Sequence, residues 1–210
     1  ERSTSRQELE LNDVNGDGYP DHILSTKEEE MLVRVNQTGR TNLLKTVTNS
    51  IGLTISLDYQ REGNTTSQAF SQWVMSRVEV NDGRPGDGVN RYLTTYEYAD
   101  NVFQALEREF LGYATVTVHE RDLDNGEAIL RSTEFAYRNG TLFDVGLLER
   151  ATLKDPNGTA VKESLNTWDF VDTADNSVVD PSSDATGVSF LSRSIFPRQV
   201  RVDDRRFTNG

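Results

Sequence analysis

An all-β fold of antiparallel hairpins is what this sequence predicts, on three observations. Apolar residues recur with a period of two: Leu53, Ile55, Leu57 and Tyr59; Val74, Val78 and Val80; Tyr92, Thr94, Tyr96 and Tyr98; Ala114, Val116 and Val118. That alternation marks half-buried strands, whose successive side chains point to opposite faces. Turn signals separate the runs: Asn81-Asp82-Gly83, Asp124-Asn125-Gly126, Asn139-Gly140 and Asp155-Pro156-Asn157-Gly158. Asn-Gly and Asp-Gly favour the positive φ angles of tight hairpins. Sustained helical periodicity is missing; only Ser67–Met75 and Asn101–Arg108 have room for a turn or two of helix.

Taken in order, the first element is the stretch 13–21, Asp-Val-Asn-Gly-Asp-Gly-Tyr-Pro-Asp. It offers oxygens from Asp13, Asn15, Asp17, the carbonyl of Tyr19, and Asp21. Calcium takes six to eight oxygens at about 2.3–2.6 Å, and a short loop supplies them by curling round the ion. Gly16 and Gly18 permit the curl. An EF-hand would need Glu at the twelfth position, which here is Leu24, and Pro20 falls inside the loop. Two readings stand: a structural calcium staple, or an Asp/Asn/Gly-rich turn that binds nothing. Character changes near residue 40. A calcium-loop segment over 1–40 and a hairpin domain over 41–210 are the expected division. Within the second, Gly83–Asn90 is a long exposed loop without the Gly-Lys-Ser/Thr ending of a phosphate loop. Asp172–Gly187 is acidic, turn-rich and expected to be mobile. Gly112, between Phe110 and Tyr113, is expected to mark a bulge with aromatics packed on either side.

Composition narrows the function. The net charge of −12 argues against nucleic acid and anionic membrane surfaces as partners. Nine acids against three bases put half of that charge in residues 1–30. There is no cysteine, hence no disulfide or thiol chemistry, which suits a secreted bacterial protein. No apolar run reaches the about 18 residues of a membrane-spanning helix. The chain starts at Glu1 without Met and reads as an internal fragment of something longer.

Catalytic patterns are missing. The two histidines, His22 and His119, lie far apart, and neither His-Glu-x-x-His nor Gly-x-Ser-x-Gly occurs. With 34 acidic residues, chance carboxylate pairs carry no glycosidase signal. No catalytic residue is expected. Asn36, Asn64, Asn139 and Asn157 head Asn-x-Ser/Thr sequons but read as turn asparagines, and Trp73 and Trp168 as core anchors.

Motif order carries a resemblance. The spacing Asp-x-Asn-x-Asp-Gly-x-x-Asp at 13–21 resembles the calcium loops of FG-GAP and VCBS repeats, and residues 31–40 look like the closing strand of such a blade. Residues 43–59, Trp73–Gly83 before the Tyr-rich 95–100, Glu107–Val118 and 146–158 then resemble, in sequence order, the middle region of B-components of bacterial insecticidal toxin complexes. They resemble equally the Salmonella virulence plasmid B family and Rhs/YD-repeat proteins. The resemblance implies the end of a β-propeller-type blade followed by a strand-rich, shell-like sheet. It implies a secreted, extracellular virulence protein whose wall encloses a toxic C-terminal domain. The implied partners are the rest of the same shell, a C-component or Rhs shell, and a pore-forming A-component, with no membrane contact by this segment. Two other functions fit the residues alone: an extracellular calcium-dependent adhesion or carbohydrate-binding module, and a glycan-degrading enzyme.

Overall fold

The computed structural model describes residues 8–27, 29–39, 41–68, 70–84, 86, 90–104, 108–180 and 194–207, and among them strands predominate and no α-helix occurs. Three short strands, β1 (Glu8–Asn12), β2 (Asp21–Lys27) and β3 (Glu30–Arg34), form an antiparallel sheet in chain order. A second sheet holds β4 (Thr46–Thr48), β5 (Thr54–Gly63), β6 (Ser71–Asn81), β7 (Arg91–Gln104), β8 (Glu109–Asp122), β9 (Ala128–Arg138), β10 (Leu147–Lys154), β11 (Ala160–Asp172), β12 (Val178–Val179) and β13 (Ile195–Arg206). Strands β4 to β12 lie in chain order, and β13 pairs with β11 along its whole length. The chain divides into two compact units: residues 1–45 with 59–74, and residues 46–58 with 75–210. The first unit therefore takes in the tip of the β5–β6 hairpin as well as the acidic segment.

The period of two decides the chemistry of the large sheet's two faces. Tyr92 lies opposite Val80, Tyr96 opposite Val118 and Tyr98 opposite Val116, and Val116 in turn faces Phe135. One face is thus mainly aromatic and aliphatic, with the Phe135 and Tyr137 rings stacked 6.4 Å apart, and carries one ion pair, Glu120 with Arg131 at 2.7 Å. The other face is a ladder of charges. Glu79 pairs with Arg91 at 2.6 Å and Arg77 with Glu127 at 2.9 Å. Glu134 takes Lys154 at 2.6 Å, and Glu163 stands 3.8 Å from Arg205. His119 sits in the same ladder, its Nδ1 2.7 Å from Ser132 Oγ and its Nε2 3.3 Å from Glu97 Oε1, out of line for a hydrogen bond. Cross-strand pairs of this kind contribute about 0.2–1 kcal/mol each.

Little of the chain is fully buried. Among the described residues Leu93, Leu111 and Phe170 are the buried apolar side chains. A two-layer sandwich of this length would hide many more; the large sheet is a single layer, and most of its side chains are half-covered by neighbours on their own face. Gly112, at φ +103°, flanks a bulge, where the register against β7 slips between Val102 and Phe103. The Phe110 and Tyr113 rings pack edge-to-face there, 5.3 Å apart, and Tyr113 meets Tyr98 at 5.0 Å.

Two expectations need correction. Ser71–Met75 belongs to β6 and Asn101–Gln104 to β7, so no helix forms in the described parts of those stretches; residues 69 and 105–107 lie outside them. Pairing along the whole of β7 overrides a weak local propensity. Asn139-Gly140 is not a two-residue turn but the start of a longer loop between β9 and β10. Asn139 is buried, donating to the Tyr113 carbonyl at 2.8 Å and accepting from Gly146 N–H at 2.8 Å. Of the acidic stretch 172–187, Asp172 ends β11 and Val178–Val179 form β12, with Asp172 buried; residues 181–187 lie outside the described residues, as do 85 and 87–89 of the Gly83–Asn90 loop.

Candidate metal centre

The loop 13–21 joins β1 to β2, and its polar side chains turn inward onto its own backbone. Asp13 accepts from the N–H groups of Asp17 at 2.8 Å and Gly18 at 2.7 Å. Asn15 Oδ1 also accepts from Asp17 N–H, at 3.0 Å, and Asp17 Oδ1 accepts from Tyr19 N–H at 2.9 Å. The bonds accepted by Asn15 and Asp17, each from the residue two further on, are Asx turns, in which a short side chain replaces a backbone acceptor. Gly16 and Gly18, at φ +71° and +79°, give the loop its left-handed steps.

Asp21 does a different job. It is fully buried at the start of β2, and its carboxylate bridges Val14 N–H at 3.0 Å and Asn36 N–H at 2.7 Å. A buried charge is tolerated only when hydrogen-bonded. The Asn36 amide, helped by that of Val14, holds the Asp21 carboxyl below the usual carboxylate range against the opposing effect of burial. One carboxylate thereby ties the entry of the loop to the chain just after β3.

The tip of the β5–β6 hairpin, in the same compact unit, packs against the loop. Arg61 lies 3.6 Å from Asp17 Oδ2. Its guanidinium sits 4.7 Å from the Trp73 ring centroid and 5.3 Å from that of Tyr19. Asn64 donates to the Asn15 carbonyl at 2.9 Å. The tyrosine hydroxyl reaches the Gly39 carbonyl at 3.2 Å.

Asp13, Asn15, Asp17, Tyr19 and Asp21 are thus brought into one loop, as their spacing requires. As donors they suit a hard cation, being carboxylates, an amide oxygen and a peptide carbonyl. Among the described residues no group of three or more His, Cys, Asp or Glu side chains that could hold a metal ion is found. Asp21 is committed to two amides, and Asp17 faces both Arg61 and the Asn15 side-chain amide, 3.2 Å away. Arg61 carries no motif in the sequence, and Asn64, which heads a sequon and reads as a turn asparagine, gives no sign of its contact with Asn15.

A long antiparallel sheet, preceded by a small sheet with an acidic loop, defines an all-β protein built from antiparallel hairpins. Residues 1–137 match the model of the family described as insecticide toxin TcdB middle/N-terminal region, and the chain belongs to that family. No curated protein matches the chain in sequence. Among solved structures it is similar to TcdB2-TccC3 without its hypervariable C-terminal region, with a TM-score of 0.65 at 16% identity over 96% of this chain. It is also similar to TcdB2-TccC3-Cdc42, with a TM-score of 0.62 at 16% identity over 96% of the chain. The Tc holotoxin pore of Photorhabdus luminescens gives a TM-score of 0.63 at 15% identity, again over 96% of the chain. This chain spans 12% of the length of each of those solved chains. At such identity the likeness is one of fold.

Proposed function

We propose that this chain is a non-catalytic section of the wall of a toxin-complex B-component, a secreted shell that encloses and delivers a toxic C-terminal domain. The observation that carries the reading is the single-layer sheet with almost no core of its own. A sheet with so few buried apolar side chains among the described residues is unusual for a domain that works alone, and natural for a barrier with space on both sides. Antiparallel hairpins added in chain order extend such a wall while pairing each new edge. The charged face supports the same reading. Its carboxylates and cations are matched to one another across β6 to β13, so they offer a passing chain few unpaired charges to grip. The partners in this reading are the remainder of the shell, a C-component that completes it, and a pore-forming A-component. The similarity to TcdB2-TccC3 and to a Tc holotoxin pore supports partners of this kind.

The test is co-production of the complete protein with its C-component, followed by limited proteolysis. The enclosed domain should resist protease in the assembled shell and be cut rapidly once released. It should also show the fast amide exchange of an unfolded chain while inside. Equal cleavage with and without the shell, or a folded guest within it, contradicts the reading.

A further inference from the structure

The acidic loop 13–21 faces a positive charge that belongs to the chain itself. Arg61 reaches it from β5, stacked between two aromatic rings and 3.6 Å from Asp17 Oδ2. Three further features dock the same hairpin on the same loop. Asn64 donates to the Asn15 carbonyl at 2.9 Å. A Cβ at Gly16 would collide with the Asn64 side chain, which would have to move aside. At Gly18 a Cβ would stand 3.3 Å from the Ser71 carbonyl. The loop is therefore fitted to its hairpin at two glycines and joined to it by a hydrogen bond, an ion pair and one ring contact, Arg61 over Tyr19.

We propose that Arg61 is the cation around which this loop is organised, and that loop 13–21 is an intramolecular clasp for the β5–β6 hairpin that closes without metal. A guanidinium is suited to the place. It is planar and weakly hydrated, so it stacks on Trp73 and Tyr19 while its edge faces a carboxylate. It also arrives already tethered, which removes the association cost that a free ion carries. The hydrogen bonds from the loop's own amides to Asp13, Asp17 and Asp21, and from the Asn36 amide to Asp21, spread the remaining negative charge. The clasp recognises a side chain, so its specificity lies in Arg61, Asn64 and Trp73.

Amide hydrogen exchange in peptides covering 13–21 reads the clasp locally, and three variants separate its parts: Arg61→Gln, Asp17→Asn and the double substitution. Arg61→Gln should speed exchange at the loop by about fivefold to tenfold, the scale of one partly shielded ion pair with ring stacking. Asp17→Asn should act in the same direction, and the double variant should be no faster than the faster single one, since both remove the same contact. Arg61→Lys should recover only part of the protection, because the point charge survives and the stack does not. Exchange in millimolar calcium and in chelator should coincide for the unsubstituted protein. Additive effects of the two substitutions, or a loop that calcium protects and chelator opens, would overturn the proposal.

Discussion

Replacing Gly16 by alanine measures the docking of the loop on its hairpin, because a second glycine supplies the control. Gly16 has φ +71° and Gly146 has φ +73°, so alanine at either meets the same left-handed backbone penalty, about 1–2 kcal/mol. The surroundings differ. At Gly146 nothing lies within 4 Å of the added Cβ. At Gly16 the Cβ would collide with Asn64, which must swing away and surrender its hydrogen bond to the Asn15 carbonyl. That bond contributes about 0.5–1.5 kcal/mol, and displacing the side chain loses further packing. Gly16→Ala should therefore be the more damaging by about 1 kcal/mol or more, which for a chain of this size is roughly 2–4 °C in Tm. Parallel thermal melts of the two variants decide it. Equal Tm losses would mean that the hairpin does not rest on the loop.

The thin core, the buried polar anchors and one buried carboxylate each give a further prediction. Leu93 is 2% exposed, so Leu93→Ala should cost about 2–4 kcal/mol in chemical denaturation, whereas truncating Leu130, at 52% exposed, should cost well under 1 kcal/mol. Asn139→Ala strands the Tyr113 carbonyl and the Gly146 N–H together and should destabilise by about 1–3 kcal/mol in the same assay. The Asp21 carboxyl is depressed below its ordinary value of 3.8 in the folded state. Its contribution is present above that value and lost as pH falls through the lower folded one, so stability should drop in acid below about pH 4. Glu79, held down first by the Arg91 guanidinium, adds to the same acid loss. In Asp21→Asn the fall with pH should be shallower; an unchanged slope would remove Asp21 from the account.

Much of the large sheet was legible because its period is strict. Tyr92, Thr94, Tyr96 and Tyr98 do share a face with Val78, Val80, Val116 and Val118, as alternation alone requires. The bulge at Gly112 was readable too, since a glycine between aromatics in a strand has few other uses. Long-range partners were not. Nothing near Arg61 in sequence announces Asp17, and the contact exists because β5 carries Arg61 to a loop formed much earlier in the chain. Asn139-Gly140 misled because the dipeptide rule describes a free hairpin. Here Asn139 has two backbone groups to satisfy in the interior, and that demand sets the loop length. At 13–21 the spacing placed five oxygen donors in one loop but could not say how each is used. Asp21 shows why, since the sequence gives no hint that the Asn36 amide would claim its carboxylate.

The most direct test of the wall is an electron cryomicroscopy map of the complete protein assembled with its C-component. The account predicts that the sheet β4–β13 lies in the container as a single layer, with solvent-filled space on one side and the enclosed chain on the other, and with the outer edge of β13 paired to a neighbouring strand. A map in which this sheet is packed face to face against a second sheet, or stands apart from the enclosure, would contradict it.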